Sequence, residues 1–408
     1  MSRDQRHDPQ TSSVGQGHNP SDHLGSLKVP LYDTSAFVFD TAEAGKRFFE
    51  VVYGGAALEP GEELGYIYSR LDSPNLRVLE SRLASWEETD DALVFNSGMG
   101  AISSLFLTFL RPGDLVLSSN PTYGGTATLL KGLFTELGVS TVRFGPSAGR
   151  DDLEGLIGDR RLRMVYVETP ANPTNDIFDL EMVAAITKAH DAISVADNTF
   201  LSPVWQRPAN HGVDLVLHSA TKYLGGHSDL TAGVICGGAL LIDRLRHTRY
   251  EIGTTAQPAT AWLLTRSVET LQIRVERQTA TATTVAAFLA EHPKVERVNH
   301  LSLLSAGDPG YEIYKNQCRG PGAMISFEVT GGEEGAFRLL DAMRVVRLAV
   351  SLGGTESLAS HPWAMSHFLM PAEEKTAIGV TPGMIRLSIG VEAPEDLIAD
   401  LGQALDRV

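Results

Sequence analysis

Three short apolar runs, at residues 162–167 (LRMVYV), 193–196 (ISVA) and 214–219 (DLVLHS), each break off into polar, turn-forming residues. Between the first two, residues 179–186 repeat their apolar side chains at the helical period. Short runs of this kind fill buried strands, and their alternation with helices calls for a parallel sheet with crossover connections. The chain therefore reads as α/β. Open α/β sheets bind ligands outside the carboxyl ends of their strands, so the residues just past each run are the candidates for chemistry.

Past the third run stands Lys222, in the segment HSATKYLGGHSD. An ammonium group at a half-buried strand end loses hydration, its pKa falls, and the free amine becomes a better nucleophile toward an aldehyde. The hydroxyls of Ser219 and Thr221 flank it, as a phosphate-bearing ligand requires. Past the second run stands Asp197, in ADNTF; alone it reads as a helix N-cap or turn former, but it also suits the partner of a ring cation. The first run ends in ETPANPT, which offers Asn172 to the same mouth. Upstream, Gly98 and Met99 lie in NSGMGA, between a strand-like run at 92–95 and a helix-like run at 102–106. That arrangement points free N–H groups at an anion. The glycine spacing does not make it a dinucleotide fingerprint.

ETPANP, ADNTF and HSATKYLGGHSD, in this order and at these separations, resemble the Cys/Met metabolism family of pyridoxal 5′-phosphate (PLP) enzymes, from about residue 29 to the C-terminus. The resemblance implies the fold type I (aspartate aminotransferase-like) architecture: a mostly parallel sheet flanked by helices, with a smaller C-terminal α+β domain. It implies that Lys222 carries the cofactor covalently, that Asp197 partners the pyridine nitrogen, and that Ser219, Thr221, Gly98 and Met99 bind the phosphate. Tyr68 and Arg70, in GYIYSR, would reach the phosphate of a neighbouring subunit, within a homotetramer built as a dimer of dimers. Tyr123, in PTYGGT, would stack on the ring and, with Lys222, handle protons. Arg386, in MIRLSIG, would clamp the substrate carboxylate with help from Ser351 and Asn172.

Members that handle cystathionine carry an acidic residue where this chain has Ile67 and Val350. An apolar pair leaves a distal ammonium unpaired and suits a methyl thioether. Gly125 stands where many methionine-cleaving members have a cysteine. The implied activity is a C–S γ-lyase acting on L-methionine or a related sulfur amino acid, giving 2-oxobutanoate, ammonia and a thiol. The alternatives are cystathionine γ-synthase or lyase activity, or O-acylhomoserine sulfhydrylase and other γ-replacement chemistry.

With 408 residues the chain has room for two domains. The expected division is a disordered tail at 1–26, an arm at 27–65 contacting a neighbouring subunit, a PLP-binding domain at 66–258 and a C-terminal domain at 259–408. A net charge of −16 argues against nucleic acid or anionic membrane as partners. Cys236 and Cys318 lack ligand spacing and read as free thiols in a reducing compartment, and with no signal or spanning segment the expected location is the cytoplasm. No metal site is expected, since His361 and His367 have no acidic or cysteine partner at ligand spacing. The charged run at 274–277 reads as ordinary surface pairs on a helix.

Overall fold

The computed structural model describes residues 7–62 and 64–408. Seven strands form the large sheet: β1 Asp91–Phe95, β2 Leu115–Ser119, β3 Ser140–Phe144, β4 Leu162–Glu168, β5 Ile193–Asp197, β6 Leu215–Ser219 and β7 Gly233–Gly237. Their spatial order is β1-β7-β6-β5-β4-β2-β3. β2 to β6 pair in parallel, whereas β7 runs antiparallel to both of its neighbours, β1 and β6. The three apolar runs read from the sequence are β4, β5 and β6. They lie side by side, so the residues that follow them meet at one end of the sheet.

Alternation along β4 shows why these strands are apolar throughout. Met164 and Tyr166 pack under Ile102, Phe106 and Leu245 on one face, while Val165 and Val167 pack under Leu153, Leu180 and Val183 on the other. The helix Leu180–Ala189 joins β4 to β5 and starts where Asp179 accepts the Met182 N–H at 3.0 Å, a cap that contributes about 1 kcal/mol. At the start of β7 a Cβ on Gly233 would stand 2.2 Å from the Ser97 carbonyl oxygen. Glycine there lets the reversed strand pass beneath the loop that opens the helix Gly98–Phe109.

A second sheet contains β8 Val295–Asn299, β9 Met324–Val329, β10 Arg347–Leu348, β11 Leu358–Ser360 and β12 Met384–Ser388, in the order β10-β11-β12-β9-β8. One continuous core runs from the helix Pro74–Glu87, through Val275, Ala282 and Leu289 of the long helix Leu271–Glu291, to Phe327, Ile385 and Leu387. On β12 the inward Ile385 and Leu387 alternate with Arg386, which the strand period turns toward the cleft between the sheets.

Two sequence expectations need correction. Of the tail expected to be disordered at 1–26, residues 1–6 lie outside the described residues, but Pro9–Gly15 is a helix capped by Asp8, with Ser13 fully buried. Apolar content did not signal this because polar bonds fasten the segment: Gln10 Nε2 donates to the Glu269 carbonyl (2.9 Å), and the buried Arg82 donates to the carbonyls of Gln16 (3.1 Å) and Val14 (3.2 Å). Arg274 is not a surface residue. It is buried and donates to the Tyr223 and Ser267 carbonyls at 2.8 and 2.9 Å, because the helix Leu271–Glu291 turns that face inward against the loop bearing Lys222. Within the arm, the helix Ala42–Val52 precedes a stretch at 54–61 that holds neither helix nor strand.

Candidate active site

A cavity of about 960 Å³ opens where the carboxyl ends of β4, β5 and β6 face β12. Gly98, Met99, Tyr123, Asn172, Asp197, Ser219, Thr221, Lys222, Val350, Ser351 and Arg386 all line it. These residues span most of the chain and are assembled by the strand ends and two loops. Ile67, Tyr68 and Arg70 stand outside it. Their segment pairs with residues 35–37 of the same chain, Tyr68 is 44% exposed, and the Arg70 guanidinium donates to the Tyr250 carbonyl.

Lys222 Nζ donates to Ser351 Oγ at 2.7 Å. Burial disfavours the ammonium and Arg386 repels it, so the amine is pushed down to about 8. Ser351 has a φ of +116°, a strained backbone for a residue with a Cβ. Its carbonyl accepts from Arg386 Nη2 at 3.0 Å, so the guanidinium and the lysine grip the same residue. Arg386 Nη1 donates to Asn172 Oδ1 at 3.0 Å, and its buried Nε has no acceptor among the described residues. Burial lowers this guanidinium to about 10, only partly offset by Tyr223 and Glu168. A carboxylate would meet that unused donor and relieve that cost.

Asp197 is held from three directions. Its Oδ1 accepts the Thr199 hydroxyl (2.5 Å) and N–H (3.1 Å), and its Oδ2 accepts the Tyr166 hydroxyl (3.1 Å). Burial raises its pKa against those bonds, so a cationic partner would be welcome. Thr199 Oγ1 also accepts the Ser219 N–H at 2.9 Å, which ties the ends of β5 and β6 together.

The helix Gly98–Phe109 points its N-terminus at the same space. Ser97 Oγ takes the Gly100 N–H at 2.9 Å, while among the described residues the Gly98 and Met99 N–H groups have no acceptor. A Cβ on Gly98 would come within 3.0 Å of Ser219 Oγ, so a side chain would fill the space where the two face one another. Tyr123, 46% exposed, stands at the opposite wall. At Gly125 a Cβ would lie 2.5 Å from Tyr123 Cε1 and 2.9 Å from Met99 Sδ, so the tyrosine ring occupies the room that a larger residue would need.

Tyr166, Thr199, Glu168 and Arg274 are parts of the site that motif reading missed. Tyr166 and Glu168 sit inside or at the end of a run read only as core, and their orientation follows from the β4–β5 register, which no local pattern reports. Glu168 lies opposite Asp197 in that pairing and is raised to about 8, by burial first and Asp197 second. Among the described residues no cluster of His, Cys, Asp and Glu could hold a metal ion, and no helix is long and apolar enough to cross a membrane.

An amine of lowered pKa, a buried carboxyl, two hydroxyls and two unused N–H groups together complement an aldehyde, a ring cation and a phosphate. The fold and this donor set define a PLP-dependent enzyme. Sequence comparison agrees: the profile described as Cys/Met metabolism PLP-dependent enzyme matches residues 10–406, and the chain belongs to that family. It is 42% identical to an L-methionine gamma-lyase of Fusobacterium nucleatum subsp. nucleatum, over 94% of each chain. It is also 42% identical to an L-methionine gamma-lyase of Pseudomonas putida, covering 97% of this chain and 96% of that one. A solved cystathionine gamma synthase from Xanthomonas oryzae pv. oryzae, in complex with aminoacrylate and cysteine, superposes with a TM-score of 0.89 at 34% identity, over 98% of each chain.

Proposed function

We propose that this protein is a C–S γ-lyase that cleaves L-methionine or a closely related thioether amino acid, giving 2-oxobutanoate, ammonia and a thiol with consumption of one water. The observation that carries the substrate reading is Val350: it lines the cavity directly beside Ser351, the residue gripped by both Lys222 and Arg386. An apolar side chain there accepts a methyl thioether and offers nothing to a second ammonium group. The identity to methionine-cleaving relatives supports the same reading.

In this reading PLP, when bound, supplies an electron sink for a carbanion at the substrate α-carbon. Lys222 would hold it covalently, Asp197 would partner its ring nitrogen, Ser219, Thr221, Gly98 and Met99 would take its phosphate, and Tyr123 would stack on the ring. Tyr68 and Arg70 complete the phosphate site of a neighbouring subunit, within a cytoplasmic homotetramer. Arg386, steadied by Asn172, binds the α-carboxylate through its free Nε edge. With its pKa lowered to about 8, the Lys222 amine is neutral far more often near pH 7 than an ordinary lysine, and in that form takes the α-proton. Tyr123 donates the proton that lets the thiolate leave as a thiol.

A second reading has one observation in its favour: the exposed Glu374 also lines the cavity and could meet the distal ammonium of cystathionine. Incubation of the purified holoenzyme with L-methionine, with L-cystathionine, or with O-acetylhomoserine plus a thiol separates the readings. Methionine should yield 2-oxobutanoate and methanethiol with the highest kcat/KM. Cystathionine turnover tenfold or more above that of methionine would replace the first reading with the second.

A further inference from the structure

Glu168 ends β4 with its side chain buried, and its two oxygens are shared between two loops. Oε2 accepts the Tyr123 N–H at 2.6 Å, and Oε1 accepts the Asn172 N–H at 2.9 Å. Asn172 is the residue whose Oδ1 receives Arg386 Nη1, so the carboxyl reaches the guanidinium through Asn172 by two hydrogen bonds and the tyrosine's backbone by one. The Glu168 N–H donates to Ser119 Oγ at 3.0 Å, which fixes the residue to β2 as well. The Tyr123 loop is otherwise lightly held at this point. Tyr123 is half exposed, and among the described residues no side chain caps the short helix Gly124–Leu129 that follows.

We infer that Glu168 is a positioning residue that sets the Tyr123 ring and the Arg386 clamp at a fixed distance from one another, so that the two walls of the substrate cleft move as one. This inference rests on the roles given to Tyr123 and Arg386 under the proposed function. The chemistry of the side chain suits the task. A carboxyl group offers an acceptor oxygen at each end of a short fork, and keeps acceptor capacity on both oxygens even when its raised pKa leaves it protonated. Glutamine cannot stand in: with one acceptor oxygen, it must turn its NH2 group toward the other N–H. Aspartate keeps the acid but is one methylene shorter, and falls short of one loop. Holding an acid here is costly, since burial and the neighbouring Asp197 both oppose its ionisation. A group that merely closed a strand end could be apolar.

The test uses Glu168→Gln and Glu168→Asp holoenzymes, titrated with L-norleucine, a methionine isostere with a methylene in place of sulfur and no leaving group. Binding is followed by the visible absorbance of the bound cofactor, and ring orientation by its visible circular dichroism. Both variants should retain the lysine-linked absorbance band, bind norleucine roughly ten- to thirtyfold more weakly, as expected for leaving one buried N–H donor without its acceptor, and show an altered dichroism signal. With methionine, KM should rise while kcat also falls. A role confined to stability would lower the melting temperature and leave norleucine affinity and dichroism in place. Affinity within twofold of the parent, with unchanged dichroism, would overturn the inference. Should Glu168→Gln not fold, Glu168→Asp alone decides by the same two readings. A parent enzyme without the lysine-linked band, or without norleucine binding, would overturn the proposed function rather than the linkage through Glu168.

Discussion

Glu80, on the helix Pro74–Glu87 and facing the helix Ala239–Ile252, is as deeply buried as Glu168, yet the two carboxyls are driven in opposite directions. Burial would raise Glu80, but Arg249, Arg246 and Arg77 outweigh it and hold the carboxyl below its ordinary range. Arg249 Nη1 donates to Oε1 at 2.6 Å, and Arg246 Nη1 lies 3.6 Å from Oε2 while its Nη2 donates to Asp91 at 2.6 Å. Burial opposes the charge on Arg246, yet Glu80 and Asp91 keep it above its ordinary value. At the rim of this cluster Asp72 drifts upward under burial and Glu80, so the matching is incomplete there. In the cleft the sense is reversed. Glu168 and Asp197 are raised, and Lys222 and Arg386 are lowered, each chiefly by burial. The first cluster uses buried charge to hold helices against β1. The second keeps buried charge unmatched until ligand groups of opposite sign arrive, and such frustrated sets mark function rather than architecture.

The contrast can be broken in three ways. Lys222→Ala should have the largest effect, lowering kcat/KM for methionine by about 10³- to 10⁴-fold and abolishing the visible absorbance of lysine-linked PLP. The urea midpoint of its apoenzyme should not fall, because the residue removed was disfavoured where it stood. A variant that kept the absorbance band would refute the assignment of Lys222. Glu80→Gln should do the converse: a loss of about 3–5 kcal/mol in denaturant unfolding, from leaving buried guanidinium groups unpaired, with kcat per folded subunit unchanged. A loss below about 1 kcal/mol would remove the distinction between the clusters.

The smallest effect is in pH dependence. Glu168 rises from 4.5 to about 8 on folding, so the native state binds more protons between those values and its contribution to stability falls as pH rises through them. Lys222 drops from 10.5 to about 8, so the native state binds fewer protons between 8 and 10.5 and its contribution recovers there. Urea unfolding of the apoenzyme across pH should show that recovery in the parent and lose it in Lys222→Ala. An equal recovery in both would mean that the lysine is not perturbed.

What could be read from the sequence followed from locality. Lys222, Asp197 and Asn172 each stand a few residues past an apolar run, and strand ends announce themselves by a change in composition. Arg386 did not, because an arginine inside a strand gives no sign of which face it occupies, and its role came from the family likeness alone. Glu168 and Tyr166 matter through the register of β4 against β5, a relation between segments separated by a helix. Arg274 was misread for a related reason, since a charged residue on a helix looks solvated until the carbonyls it serves are brought to it from the Tyr223 loop. The helix Pro9–Gly15 escaped notice because its anchors are backbone carbonyls, which composition does not record.

The reversal of β7 has a mechanical consequence. In the parallel part of the sheet the chain leaves a strand by a helix and re-enters at the far end, whereas the chain bearing Lys222 leaves β6 and re-enters through β7 at the same end, tied down on both sides. Within that short span the Gly225 N–H donates to the Ala220 carbonyl at 2.8 Å, the Gly226 N–H to the Lys222 carbonyl at 2.7 Å, and Arg274 pins Tyr223. The lysine is thus a long lever on a fixed post. Its amine can exchange one partner for another by rotation about its own four-carbon stem, without asking the backbone to move.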